Sequence, residues 1–432
     1  MQVLNKEKFT HYKTNFGDLY IAGHMSLEVS EVSSSLDAGS FPEHLRGNFA
    51  LIYSSPTVNC YAVDHFSTIP LFYTDDNVVG TYYIDVRNTI DDLKINDDEQ
   101  EMINLHGGYN FGKFTNIQGL FRVEPCTYVW NGVVKRFITL LQRELTEFSA
   151  THCQKLFKAA IDRCTGENNT LFLSGGKDSS TLAGCMKHWN YNFNTISLHS
   201  PNQQYSEKKI VERLDEFYSI DTQYVEVEYS GKILGQLNER FFNFWIENPF
   251  GAKRSAVKRV GLENNVQITG EGGPLVFQHN MPLAYAIQSP SSTIKDYCKI
   301  LAIDTITNHK IASPNDSYIW NDKVHLVEKI ANFYLDEYNS FGDADYTNKL
   351  LHLQTVSTCA YRNFAYSQDA EITWTHPYFD WDFVYYVCNL PPKYKIAKSL
   401  FKEAFGDFIS TIPWEYPKNG LSIPSKNKYR NN

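Results

Sequence analysis

The sequence predicts an α/β chain in two parts: a β-rich region over residues 1–140, then a parallel-sheet domain with a helical C-terminal part over 141–432. Three observations predict it. Short apolar runs such as Phe49-Ala50-Leu51-Ile52-Tyr53 and Pro70-Leu71-Phe72-Tyr73, separated by polar turns, mark the first part as strands. From Leu171 onward, apolar runs of strand length alternate with runs at helical spacing, the pattern of a parallel sheet covered by helices. Beyond about residue 320 the helical period dominates.

Each element follows in order. Leu145, Phe148, Leu156, Phe157, Ala160 and Ile161 predict a helix over 143–165 that leads into the second part. Leu171-Phe172-Leu173 is a short buried strand, and Leu182, Met186 and Trp189 follow at helical spacing. Thr195-Ile196-Ser197-Leu198 is the next strand, and Ile210, Leu214 and Phe217 the next helix. The alternating segment 223–228 is a third strand, and 266–269 a fourth that ends in Gly270-Glu271-Gly272-Gly273. Val324, Val327, Ile330 and Tyr334 share one helical face; Leu350, Leu353 and Val356 share another. Neither an internal repeat nor a low-complexity linker divides the chain.

Length and composition bound the function. The 432 residues suffice for two or three domains, and 42% hydrophobic with 21% charged residues is ordinary for a globular protein. The 28 Tyr and 28 Phe follow no repeat and read as core and pocket lining. A net charge of −9 argues against general affinity for nucleic-acid backbones or anionic membranes. The N-terminal MQVLNKEKFTHYK lacks the apolar stretch of an export signal, and no run reaches the length of a membrane span, so a cytoplasmic location is expected. The eight cysteines (Cys60, Cys126, Cys153, Cys164, Cys185, Cys298, Cys359, Cys388) are then expected as reduced thiols. Their spacing contains no CxxC pair, which disfavours a zinc or redox site.

The chemistry is concentrated in Ser174-Gly175-Gly176-Lys177-Asp178-Ser179. The segment follows a buried strand and opens a helix. Two successive glycines let the backbone approach an anion, and their N–H groups add to the partial positive charge of the helix N-terminus. Ser174 and Ser179 can add hydroxyl donors. Asp178 is out of place in a phosphate cradle unless a cation lies between, which makes it the natural Mg²⁺ ligand. A glycine turn capping a helix, with Asp178 in the first turn satisfying its dipole, is the plainer alternative, and the two serines and aspartate in register between a strand and a helix weigh against it. The spacing differs from the GxxxxGK[ST] loop that grips β- and γ-phosphates.

This loop resembles that of the ATP pyrophosphatases, which hold the pyrophosphate released when AMP is joined to a substrate oxygen. Three further segments resemble the asparagine-synthetase family. Gly47-Asn48-Phe49-Ala50, Asp64-His65-Phe66, Pro70-Leu71-Phe72-Tyr73 and Phe121-Arg122-Val123-Glu124-Pro125 are similar to the family's N-terminal glutaminase-type domain. Thr269-Gly270-Glu271-Gly272-Gly273 is similar to S-G-E-G-x-D-E. Pro377-Tyr378-Phe379-Asp380, Leu390-Pro391 and Pro413 through Lys418 and Gly420 to Pro424 are similar to P-F-L-D … L-P … K-x-G … P. The motifs occur in the family's order over most of the chain.

The resemblance implies a shortened glutaminase-like (Ntn-type) domain over 1–140 and an ATP-pyrophosphatase domain over 141–432 that uses ATP and Mg²⁺. It implies nucleotide contacts at Phe172, Ser174, Gly175, Gly176, Lys177, Asp178, Ser179, Leu198, Thr269 and Gly270. Asp178 and Glu271 would hold the metal, and Lys418 would stand beside the reacting centre. Glu371, Tyr366 and Tyr361, read as lying in a late helix, are candidates to deprotonate an attacking amine. The departures are specific. Gln2 stands where the family's glutaminase has its nucleophilic cysteine, and Val63 where it has an arginine. Pro274-Leu275 replace the acidic pair after the glycine-rich strand end, and Thr373 replaces the glutamate four residues before Pro377.

The reading that follows is an amide-forming cyclase or ligase that adenylates a small-molecule or peptide carboxylate, working with a companion biosynthetic protein. Family members without the glutaminase, the β-lactam synthetases and lasso-peptide macrolactam cyclases, have this logic. Ammonia-dependent asparagine synthesis and a non-catalytic scaffold are the alternatives. A tRNA-modifying enzyme is disfavoured by the acidic charge. Segments 240–260 and 275–320, where a substrate pocket would be built, carry no recognised motif.

Overall fold

The computed structural model describes residues 1–100, 112–137, 140–199, 207–227, 248–273, 293–306, 324–353, 364–395 and 398–415. Among them, the N-terminal strands are β1 (Gln2–Val3), β2 (Thr10–Lys13), β3 (Asp18–Met25), β4 (Gly47–Ser54), β5 (Asn59–Val63), β6 (Phe72–Thr74), β7 (Val78–Gly80), β8 (Leu120–Arg122), β9 (Thr127–Trp130) and β10 (Val133–Arg136). They form a six-stranded antiparallel sheet in the order β10-β9-β5-β4-β3-β2 and a four-stranded sheet in the order β1-β7-β6-β8.

Strand alternation decides how these sheets stack. Ala50, Ile52, Tyr61 and Val63 point from the larger sheet onto Tyr73 and Val79 of the smaller one. Phe49, Leu51, Tyr53 and Cys60 point the other way, onto Val32 and Leu36 of α1 (Val29–Asp37). The outer face of the smaller sheet, through Phe72 and Leu120, meets Tyr83 and Val86 of α2 (Tyr83–Arg87). The layers run helix, sheet, sheet, helix. Asp64, at the end of β5, is buried and accepts hydrogen bonds from the backbone of Phe49, Phe66 and Thr68 and the Thr68 hydroxyl.

The next helix, α3 (Ala150–Cys164), is shorter than the expected 143–165. Ser149 caps it, its hydroxyl accepting from the His152 N–H at 3.3 Å. The Ser149 N–H is itself taken by the Tyr386 hydroxyl at 2.7 Å. Residues before the cap are held by Asn389, which accepts from the backbone of Gln142 and Thr146. These tertiary bonds override the apolar spacing that pointed to helix, and Leu145 is left exposed.

Five parallel strands follow, β11 (Asn169–Phe172), β12 (Asn194–His199), β13 (Thr222–Glu226), β14 (Val266–Ile268) and β15 (Trp374–Thr375), in the order β13-β12-β11-β14-β15. Helices α4 (Lys177–His188), α5 (Lys208–Tyr218) and α6 (Asn248–Val260) connect them. Leu171 and Leu173 face the large core, shared with Phe157 and Ile161 of α3 and Leu182 and Met186 of α4. Phe172 faces the opposite layer, with Ala252, Ala256 and Val257 of α6. The strand order reverses between β11 and β14, the switch point where open parallel sheets bind ligands at their carboxyl ends.

The remaining described chain is helical: α7 (Ile294–Ile306), α8 (Val324–Ser340), α9 (Phe364–Ser367), α10 (Trp381–Cys388), α11 (Pro392–Lys395), α12 (Ser399–Phe405) and α13 (Ile412–Glu415). Ile330 and Tyr334 of α8 are buried as their spacing predicts, whereas Val324 is exposed at its start. Asp380 caps α10 and is gripped by Arg163 of α3 through two bonds of 2.7 Å. The two parts of the chain are joined by polar contacts: Arg136 with Glu337 at 3.0 and 2.7 Å, and Lys329 with the buried Glu99. No helix among the described residues is long and apolar enough to cross a membrane.

Candidate nucleotide site at the sheet switch point

The glycine loop leaves the carboxyl end of β11 and enters α4 at the switch point. Its form is set by Ser179. The Ser179 hydroxyl reaches back across the turn, accepting from the Ser174 N–H at 3.0 Å and lying 3.1 Å from the Ser174 carbonyl. It also lies 3.0 Å from the Ser174 hydroxyl, which accepts from the Gly176 N–H at 3.2 Å. The two serines brace the loop. A Cβ on Gly175 would press on Ile210, 3.0 Å away.

The carboxyl end of β14 closes against this loop. A Cβ on Gly270 would lie 2.9 Å from the Ser179 nitrogen, and one on Gly273 would lie 2.4 Å from Asp178 Cγ. Gly272 has φ +82° and lies against the Phe379 ring, so it is a glycine on both conformational and steric grounds. The sequence-predicted Gly270 is therefore brought to the loop it was grouped with, between Thr269 and Glu271. The Tyr378 hydroxyl donates to the Asp178 carbonyl at 2.9 Å and ties the Pro377–Phe379 turn to the first turn of α4.

Charge around the loop is mostly positive. Lys398, buried at the start of α12, pairs its ammonium with Asp178 Oδ1. It adopts φ 60°, a left-handed conformation unusual for lysine. Lys177 has its pKa lowered, first by burial and then by the neighbouring ammonium groups of Lys398 and Lys402. Lys177 in the first turn of α4 and Lys398 paired to the next residue, with Lys402 near enough to act on Lys177, give this helix N-terminus a positive charge that suits a polyanion. Asp178 is the carboxylate of the loop, and among the described residues no group of three His, Cys, Asp or Glu side chains could hold a metal. A divalent ion here would be shared between Asp178 and substrate phosphate oxygens.

On the far side of Gly270, Glu271 accepts from Lys253 Nζ at 2.9 Å and from the Tyr366 hydroxyl at 3.1 Å, and Lys253 lies 2.7 Å from that hydroxyl. The Lys253 ammonium also lies over the rings of Tyr366 and Phe172. Phe172 is buried beside Trp374, and Leu198 is half-buried at the same apolar layer. Thr269 Oγ1 accepts from the Glu271 N–H at 3.2 Å and shares a hydrogen bond of 2.7 Å with His376 Nδ1. Burial lowers the His376 pKa to about 3 and keeps the ring neutral.

Glu371 differs from expectation. It lies in the turn between α9 and β15 rather than in a helix, because the helix ends at Ser367. Its carboxylate is taken by Arg254 and Lys258, each at 2.5 Å. The carboxylate that meets Tyr366 is Glu271. Lys418, Pro274 and Tyr361 lie outside the described residues. Lys398, Lys253 and Arg254 were not singled out from the sequence; a lysine or arginine carries no local signal when its partner is far along the chain.

A glycine loop braced by serines, ringed by lysines and set at the switch point of a parallel sheet defines the class of ATP-dependent carbon–nitrogen ligases with an ATP-pyrophosphatase-type loop. The chain belongs to the asparagine synthase family, whose model matches residues 152–432. No curated protein matches it. Among solved structures it is similar to an NH3-dependent NAD synthetase from Campylobacter jejuni subsp. jejuni NCTC 11168 in complex with the nitrate ion. That pair shares 12% identity and a TM-score of 0.24 over 45% of this chain and 96% of that one. It is also similar to an NMN synthetase from Francisella tularensis, at 15% identity and a TM-score of 0.23, over 52% of this chain and 99% of that one.

Proposed function

We propose that the chain activates a carboxylate as its acyl-adenylate and passes the acyl group to an amine, as a cyclase or amide ligase of peptide or lactam biosynthesis. The observation that carries this reading is the closure of Gly270 and Gly273 onto the loop at Ser179 and Asp178. It makes a single cradle from the two motifs that flank the switch point.

In the first step a substrate carboxylate oxygen attacks the α-phosphorus of ATP, and pyrophosphate leaves into the cradle of Ser174–Ser179. Lys177, Lys398 and Lys402 would neutralise the departing charge, and the loop N–H groups would orient it. Asp178 would hold Mg²⁺, whose charge would screen the phosphate oxygens and sharpen the electrophile. In the second step the amine attacks the acyl carbon, a proton leaves the nitrogen and AMP departs. Glu271, hydrogen-bonded to Tyr366 and Lys253, is the group suited to take that proton. Lys418 would stand by the reacting centre, as the resemblance implies.

The helix–sheet–sheet–helix layering of the N-terminal part supports its reading as a glutaminase-like relic. Its two cysteines, Cys60 and Cys126, are buried, and burial raises both thiols far above their usual pKa. They are not placed to cleave glutamine, so the amine would come from elsewhere, including the acyl substrate itself.

The test is ATP–pyrophosphate exchange with Mg²⁺, comparing the wild type with Asp178→Ala. Aspartate, with and without ammonium, and a panel of peptide carboxylates would be offered. Exchange that needs one carboxylate and is lost in the variant supports adenylation. Stimulation by aspartate would redirect the reading to asparagine synthesis. Absence of ATP binding would overturn it.

A further inference from the structure

Two amide side chains connect the N-terminal double sheet to the synthetase site, and each satisfies both of its hydrogen-bonding functions on backbone of the other part. Asn48, in β4, donates from Nδ2 to the Phe379 carbonyl at 2.7 Å and accepts the Trp381 N–H at 3.0 Å. Gln368, just after α9, accepts the Tyr83 N–H at 2.8 Å and donates from Nε2 to the Thr81 carbonyl at 3.0 Å. Gln368 is buried, so bulk solvent does not compete for these bonds.

The segment 366–381, which carries both anchors, is the wall of the site that faces the glycine loop. Tyr366, two residues before Gln368, reaches Glu271; His376 reaches Thr269; and Tyr378, just before Phe379, reaches the Asp178 carbonyl. Among the described residues, this segment contributes to the sheet only the two residues of β15, paired to β14 at the edge. So short an edge strand has little sheet pairing to define its position. Ion pairs of Arg254 with Asp369 and of Arg163 with Asp380 also hold it to the synthetase part, and the amide clamps are what tie it to the N-terminal part.

We infer that Asn48 and Gln368 are positioning residues, through which the N-terminal part holds residues 366–381 in register with the nucleotide loop. On the reading of that loop as the adenylation site, this gives the N-terminal part a task that needs no nucleophile: it is the jig for the acceptor side of the synthetase. Tyr366 and Tyr378 act on the site directly, whereas Asn48 and Gln368 act through them.

The experiment uses the full chain and the variants Gln368→Met and Asn48→Asp. Methionine keeps the length of glutamine and removes both bonds. Aspartate keeps the acceptor for the Trp381 N–H and turns an oxygen on the Phe379 carbonyl. Amide hydrogen exchange is measured over residues 366–381, with α1 and α5 as internal references, and ATP–pyrophosphate exchange is measured alongside. Each variant is expected to speed exchange over 366–381 by about tenfold or more, with the references unchanged. The maximal adenylation rate should fall by a similar factor, with the KM for ATP within about twofold, since loop contacts remain.

A Gln368→Met protein with unchanged protection over 366–381 would show that Gln368 only fills space, and would overturn the inference. So would a loosened segment with an undiminished rate. If Gln368→Met does not fold, Gln368→Glu keeps the Tyr83 bond and turns a carboxylate oxygen on the Thr81 carbonyl, and the same loosening of 366–381 is expected as for Asn48→Asp. A wild type inactive toward every carboxylate would count against the functional reading alone, because hydrogen exchange still reports whether the clamps hold.

Discussion

Lys398 and Asp178, 220 residues apart in sequence, form an ion pair at the mouth of the glycine loop. The pair joins the first turn of α4 to the start of α12, and it answers how a carboxylate is tolerated in an anion cradle. Without a bound cation, the ammonium of Lys398 neutralises it. Lys398 is held at φ 60°, a conformation that costs a non-glycine residue roughly 1–2 kcal/mol, so the position is maintained against local preference. Lys398→Met should weaken Mg·ATP binding by about tenfold or more and slow pyrophosphate exchange further. Lys398→Gly should lose the same function yet unfold at a higher temperature than Lys398→Met, because it relieves the strain. Titration with Mg·ATP and thermal unfolding of the two variants check this; equal stabilities would argue against strain at Lys398.

Gly273→Ala is expected to abolish nucleotide binding while leaving the fold largely intact. The added methyl would lie 2.4 Å from Asp178 Cγ and must push that carboxylate aside. Gly270→Ala, which meets backbone nitrogen at 2.9 Å rather than a movable side chain, should also lose stability, by about 1–3 kcal/mol. Binding titrations beside denaturant curves separate the two. A Gly273→Ala protein that binds ATP normally would mean that Asp178 does not need its present position.

Much of this arrangement is legible in the amino-acid sequence. The runs read as strands at 171–173, 195–198, 223–228 and 266–269 each overlap a strand of the parallel sheet among the described residues. The glycine loop announces itself because its residue types are locally unusual. β15 is not legible: Trp374-Thr375 is too short to show a period, and its pairing with β14 comes from across the sheet. The basic residues of α6 are illegible for a different reason. Lys253 and Arg254 look like a solvated helix face until their partners Glu271, Asp369 and Glu371 are folded onto them.

Acid should destabilise the protein through His376 and His352. Burial lowers both pKa values, that of His376 to about 3 and that of His352 well below its ordinary value. Below pH 6.5 the unfolded chain therefore binds protons that the folded chain refuses, and stability falls with pH by up to about 1.4 kcal/mol per unit for each ring. Asp64 acts in the opposite sense: burial raises its pKa to about 6, so between about pH 4 and 6 the folded chain holds the extra proton. Burial raises Glu99 and Glu124 in the same sense as Asp64 and lowers His24 in the same sense as the other two histidines. His376→Asn should reduce the pH slope by about one proton between pH 4 and 6, read from denaturant unfolding at several pH values. An unchanged slope would mean that His376 is protonated in the folded state.

Two carboxylates compete for the role of base, and their partners separate them. Glu271 touches Tyr366 and Lys253 beside the nucleotide loop, whereas Glu371 is spanned by Arg254 and Lys258 at the edge of α6. A general base contributes about 10²–10⁴-fold to a rate, so Glu271→Gln should slow amide formation by at least about a hundredfold. Tyr366→Phe removes one hydrogen bond to that carboxylate and should cost less, about tenfold. Glu371→Gln keeps the shape and weakens an ion pair that is partly exposed, so its rate should stay within a few-fold of wild type, with a stability loss of about 1 kcal/mol. If chemistry is divided as proposed, Glu271→Gln should retain ATP–pyrophosphate exchange while losing transfer to the amine, since the base acts after adenylation. Loss of both steps together would place Glu271 with the metal and phosphates rather than with the amine. Loss of transfer in Glu371→Gln instead would return the role to Glu371, despite the two cations that hold its carboxylate.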